Sequence, residues 1–194
     1  MANRRELTDR ILSITGVVVA ACALIVTFYQ VHLMRDQAKI SVWPHIEQYN
    51  TTSASEFQRV ISNEGLGPAV IRYLSVTVDG KSVKNWRAAV IRLINEGPDP
   101  KLNFMQSDLP PGAVLLQGKK RTVIQIMGAA GGYASRHWKS LDIRVCYCSL
   151  YGQCWMNRSG SSVDQRVPHC PNGLKSGFYA GREKGSVGKP SNTA

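Results

Sequence analysis

ILSITGVVVAACALIVTFYQV, residues 11 to 31, is an uncharged run of 21 residues whose polar members are Ser13, Thr15, Thr27 and Gln30. A helix rises about 1.5 Å per residue, so the run measures about 30 Å, the thickness of a bilayer hydrocarbon core. Serine and threonine hydroxyls can return to the carbonyls of the preceding turn, and Tyr29, Gln30 and His32 fall where polar tips reach the interface. The run therefore predicts a transmembrane helix over residues 11–33.

Three other readings fit less well. A buried core helix is shorter and carries a polar stripe, which this run lacks. A cleaved signal peptide has an apolar region of about 7–15 residues before a small-residue site, whereas here apolar residues continue past Ala20 and Ala21. Val19-Ala20-Ala21-Cys22 has the form of a lipoprotein processing site, but Ala23 to Phe28 stays apolar where a mature lipoprotein turns polar. Cys22 reads instead as a small residue facing lipid or a helix, and Gly16, Ala20, Ala21 and Ala23 would allow close packing against another helix.

Orientation follows from Arg4, Arg5 and Arg10 before the span against Arg35 and Lys39 after it. The margin is small, but it assigns residues 1–10 to a cytoplasmic arm and the rest to the far side. Residues 34–40 read as a short stalk continuing the helix, and Trp43-Pro44 then forces an extended path.

Beyond the stalk the signals are those of strands. Ser41 to Tyr49, Phe57 to Ser62 and Ala69 to Val78 read as strands, separated by Asn50-Thr51-Thr52-Ser53 and by Asn63-Glu64-Gly65-Leu66-Gly67-Pro68-Ala69. In the second connection Gly65 and Gly67 are predicted to supply positive φ. Ala113 to Gln117 and Thr122 to Met127 read as a hairpin around Gly118-Lys119-Lys120-Arg121, with loops at 110–112 and 128–132, and Leu141 to Ser149 returns through Cys154 to Asn157. One stretch differs: Val83, Trp86, Val90, Leu93 and Ile94 recur at helical spacing, predicting one short amphipathic helix capped by Ser82 and stopped by Gly97-Pro98. About seven short strands with frequent turns predict a mainly β domain over 41–170, an antiparallel sandwich of immunoglobulin-like type. From 171 to 194 glycine, serine, lysine and asparagine dominate, and the expectation is a flexible basic tail.

Cys146, Cys148, Cys154 and Cys170 fall in the last third of the chain, in VCYCSLYGQCW and VPHCP. Residues two apart on a strand face the same way, so Cys146 and Cys148 need partners elsewhere. A hairpin around Leu150, Tyr151 and Gly152 sets Cys148 opposite Cys154 and leaves Cys146 for Cys170, the preferred of three possible pairings. Two disulfides imply an oxidising compartment such as the periplasm. A zinc site is less favoured, because the spacing lacks paired C-x2-C knuckles, and redox catalysis less still, because no C-x-x-C opens a helix. His45, His137 and His169 are scattered, no G-x-S-x-G elbow is present, and GAAGG at 128–132 lacks dinucleotide-binding spacing. The sequence thus names no catalytic, cofactor-binding or metal-binding residue.

The net charge is +11, and all but +1 of it follows residue 33. Lys119, Lys120 and Arg121 form its densest block, a basic patch suited to anionic lipid head groups. No nucleic-acid-binding module accompanies the charge.

The hydrophobic span, the Trp43-Pro44 pair, NEGLGPA at 63–69 and CYC at 146–148 with Cys154-Trp155 downstream resemble uncharacterised single-span bacterial envelope proteins with a small extracytoplasmic β-sandwich domain. That resemblance covers about positions 10 to 170 and implies fold and location, without site residues. The expected role is a membrane-anchored, non-enzymatic interaction or sensing module of the inner membrane with its domain in the periplasm, binding an envelope protein, an envelope ligand or a second copy. The alternatives are an envelope hydrolase or thiol-active enzyme, and an immunity or accessory factor against an envelope-acting toxin.

Overall fold

The computed structural model describes residues 2–95, 102–161, 163–172 and 178–179, with side chains from Ser13 onward. The chain forms two compact units, Met1–Ser41 and Val42–Ala194. The first is a single helix, α1 (Ala2–Ser41). Its stretch Ser13–Ser41 reaches a mean hydropathy of 2.1 with none of the apolar window buried in protein. The Thr27 hydroxyl donates to the Ala23 carbonyl at 2.8 Å, which removes a polar group from the apolar surface.

The second unit is mainly β, with antiparallel sheets. In chain order it comprises β1 (Ile46–Thr52), β2 (Glu56–Asn63), β3 (Ala69–Val78), β4 (Lys81–Val83), α2 (Trp86–Ile94), β5 (Phe104–Gln106), β6 (Val114–Leu115), β7 (Lys120–Met127), α3 (Ala129–His137), β8 (Leu141–Cys148), β9 (Cys154–Arg158) and β10 (Gln165–Val167). One sheet runs β1-β2-β7-β5 and the other β10-β9-β8-β3-β4, with β6 also pairing β3.

Alternation of apolar residues explains which faces turn inward. On β3, Ala69 and Ile71 are buried, and after a register shift between Ile71 and Tyr73 the buried set changes phase to Leu74, Val76 and Val78. A bulge adds one residue to the strand, so Arg72 stays in solvent and the following apolar residues return to the core. Ile46, Phe57, Ile61 and Ile126 of the first sheet join Ile71, Leu74, Ile143 and Val145 of the second in one core. Each such side chain contributes about 1.5–3 kcal/mol on burial.

Several expectations change. The residues 113–117 and 122–127 do not pair with each other: β6 bonds β3 through Ala69↔Leu115, while β7 bonds β2 and β5. The turn at Gly118 (φ 66°) passes the chain from one sheet to the other. The first turn lies later than predicted, with β1 running through Thr52 and Ser53 N–H bonding the Glu56 carbonyl at 2.8 Å. Helix α2 starts later too, because Asn85 rather than Ser82 caps it, accepting from Ala88 N–H at 2.8 Å, and it ends at left-handed Asn95. Gly97-Pro98 lies outside the described residues.

A second short helix, α3, occupies the segment predicted as a glycine loop. Its glycines permit close packing: a Cβ on Gly131 would lie 2.6 Å from the Ser55 carbonyl oxygen, and one on Gly132 2.5 Å from that of Ala54. Gly65 and Gly67 likewise do not adopt positive φ. They pass against the entering chain, where a Cβ on Gly65 would lie 2.6 Å from the Trp43 carbonyl oxygen and one on Gly67 2.6 Å from Val42 Cα.

The expected flexible tail needs correction at two residues. Phe178 and Tyr179 are buried, Phe178 N–H bonds the Leu74 carbonyl at 2.8 Å, and its ring meets Trp86 at 4.7 Å. The Tyr179 hydroxyl accepts from Leu109 N–H at 2.7 Å. This segment fills the edge of β3 between β6 and β4, so the domain extends past residue 170. The remaining tail expectation falls mostly outside the described residues.

Candidate functional site

The richest polar constellation is one the sequence did not single out. Asp164 precedes β10 with its side chain 4% exposed, and donors surround its carboxylate. Oδ2 accepts from the Tyr147 hydroxyl of β8 and meets His45 Nδ1 at 2.9 Å, while Oδ1 accepts from Asn157 Nδ2 of β9 at 2.7 Å. Asn157 Nδ2 also donates to the Ile46 carbonyl at 2.9 Å, and Gln48 Nε2 of β1 donates to Asn157 Oδ1 at 2.6 Å. The Tyr147 hydroxyl accepts from Ile46 N–H at 3.3 Å.

These bonds join β1 of one sheet to β8 and β9 of the other, so the network is a polar seam between the sheets. Burial, reinforced by the hydrogen bond to Asp164 and its charge, pushes the Tyr147 phenol far above its ordinary pKa. Its neutral form is therefore the one the fold keeps. His45 stacks on Trp43 with ring centroids 5.5 Å apart and borders an open cleft of about 440 Å³ with Glu47, Gln48, Asn157 and Ser161.

A histidine oriented by a buried carboxylate has the form of a base and its positioning group. Among the described residues no serine hydroxyl or cysteine thiol bonds the His45 ring, and Ser161 Oγ turns to the Val163 carbonyl at 3.0 Å. What the geometry does account for is the fixing of the β9–β10 connection onto the start of β1.

The cysteines form the second constellation. Cys146 bonds Cys170 and Cys148 bonds Cys154, the pairing that strand geometry favours. Cys148 lies opposite Cys154 in the β8–β9 register, so the bond crosses one hairpin, while Cys170 ties the chain after β10 to β8. The two bridges touch, with Cys148 Sγ 3.8 Å from Cys170 Sγ. The Sγ atoms of Cys148, Cys154 and Cys170 lie within 4.8 Å of one another, but each is held in a disulfide and none is free to act as a thiolate ligand.

Arg59 is a buried cation. It is 1% exposed, with Nη2 3.3 Å from the Leu141 carbonyl, the guanidinium 6.0 Å from the Trp138 ring centre and Nε without a partner. Burial pulls its pKa down to about 10, against the opposing pull of Asp142.

The basic patch residues Lys119, Lys120 and Arg121 are exposed, and Arg121 Nη1 reaches Ser107 Oγ at 3.1 Å. In α1, Gly16, Ala20, Ala21 and Ala23 are exposed, as is the free thiol of Cys22. Gly16, Ala20 and Ala23 share one helical face, and Ala21 lies off it. The sequence missed Asp164 because its partners are 7, 17 and 119 residues away, a separation that no local motif records. No family model, curated protein or solved structure matches the chain.

Proposed function

We propose that this chain is a single-span, membrane-anchored, non-enzymatic interaction or sensing module of the bacterial envelope, with its β domain on the periplasmic side of the inner membrane. The observation that carries the reading is the Ser13–Ser41 stretch, apolar and unburied, leading directly into a domain with two disulfides. An apolar helix with no protein cover finds its low-energy surroundings in lipid. Disulfides persist in oxidising compartments, which favours the domain lying outside the cytoplasm.

Two antiparallel sheets sharing one core, with chain crossings between them, support an immunoglobulin-like sandwich. Both disulfides lie on the β8–β10 side rather than between the sheets, a departure from the inter-sheet bridge of antibody domains.

Crosslinking followed by purification from native membranes in mild detergent tests the reading. A membrane protein or second copy recovered in constant ratio supports it, and consistent isolation of an uncrosslinked monomer counts against it.

A further inference from the structure

Among the described residues of the β domain eight large hydrophobics are markedly exposed, and six of them gather at one end. Trp43, Leu66, Val114, Leu116, Leu150 and Tyr151 are 40 to 65% exposed. Strand register brings them together. Val114 pairs Val70, which on its other side pairs Cys148, the residue that opens the turn bearing Leu150 and Tyr151. Leu66 N–H bonds the Trp43 carbonyl at 2.8 Å, and Asn63 Nδ2 bonds both the Gly67 and Leu115 carbonyls at 2.8 Å. Lys119 enters the same cluster, because its carbonyl accepts from Asn63 N–H at 3.0 Å, and Lys120 pairs Ser62. At the opposite strand ends the turns Ser53-Ala54-Ser55 and Asp79-Gly80 carry no large apolar side chain, and the β9–β10 turn exposes Val163.

We propose that this end is a lipid-docking surface: Trp43, Tyr151 and the leucines seat in the interfacial layer of a bilayer while Lys119, Lys120 and Arg121 engage the phosphates of anionic head groups. The proposal rests on the anchoring read above and adds a partner to it. Three features of this end favour lipid over protein. Aromatic and aliphatic tips beside clustered cations match the chemistry of an interface. The carboxylate of Glu64 is the one acidic group in the 63–69 connection, against three adjacent cations at 119–121. The chain also enters the domain here, with Trp43 two residues past the last residue of the apolar helix.

The test uses the full chain in nanodiscs whose acyl chains are brominated, comparing zwitterionic phosphatidylcholine with a mixture containing phosphatidylglycerol. The helix contains no tryptophan, so tryptophan quenching reports on the domain alone. Stronger quenching is expected in anionic discs, absent in Trp43→Phe. Lys119→Gln and Lys120→Gln should each lower the ratio of docked to undocked protein about five-fold, the equivalent of ~1 kcal/mol per basic residue. Equal emission from plain and brominated anionic discs would overturn the proposal. Trp43 shielded from an aqueous quencher yet unaffected by bromine would do the same, by showing that protein, a second copy included, covers this end. Alkaline carbonate extraction separates the two claims: a retained but unquenched chain overturns docking alone, whereas a released chain overturns anchoring as well.

Discussion

Several donors share the nearly buried Asp164 carboxylate, and each can be withdrawn separately. Tyr147→Phe removes the phenol that donates to Asp164 and accepts from Ile46 N–H, so a loss of about 1–3 kcal/mol in denaturant unfolding is expected. The raised phenol pKa adds a pH signature. Neutral Tyr147 is favoured in the fold, so its stabilisation is complete below about pH 10 and falls as pH rises beyond the unfolded-chain value. Melting temperature measured from neutral pH upward should drop more steeply above that point in the parent than in Tyr147→Phe. Arg59 presents the opposite case. Its Nε has no partner, and Asp142 keeps the Arg158 guanidinium at 3.0 Å without it. Arg59→Met should therefore unfold within about 1 kcal/mol of the parent or above it, since an apolar side chain of similar volume escapes the desolvation cost. Neither residue announced this role in the sequence: an aspartate in a polar loop and an arginine in a strand look like surface groups until strand register buries them.

At the scale of elements, the hairpin at Cys148–Cys154 was legible because its signals are local: alternation on either side, Tyr151-Gly152 at the turn and cysteines at facing positions. Helix α2 was legible from its apolar spacing, although its cap was not, because Ser82 and Asn85 are equally good capping residues and β4 claims the serine. The strands β6 and β7 were misread since adjacency with a glycine turn favours pairing, whereas here the turn carries the chain between sheets. Helix α3 is hidden in the sequence because its run of small residues suggests a loop, whereas Gly131 and Gly132 serve close contact with the β1–β2 turn. The two bridges should differ in weight. Chain-entropy arguments give about 3.5 kcal/mol for the 24-residue separation of Cys146 and Cys170 and about 2 kcal/mol for the 6-residue separation of Cys148 and Cys154. Paired Cys→Ser variants compared by urea unfolding test that order. Phe178→Ala should cost about 3 kcal/mol by emptying the space beside Trp86, an effect that a freely moving tail would not show.

At the scale of the whole molecule, composition separated the apolar helix from the β domain, and the separation is visible as two compact units. The mainly β, antiparallel character of the domain was legible too, since period-two alternation and turn residues are carried by the sequence itself. The polar seam and the apolar end were not, because both are assembled from segments that only tertiary register brings together. On the proposed reading, residues beyond the helix lie across a membrane from the N-terminal arm. A topology reporter in a bacterial host tests this most directly: alkaline phosphatase, which needs an oxidising compartment to fold, is fused after Ala194 and compared with a fluorescent protein that matures in the cytoplasm. Active phosphatase with a dark fluorescent fusion is expected, whereas inactive phosphatase with a bright fluorescent fusion would contradict it.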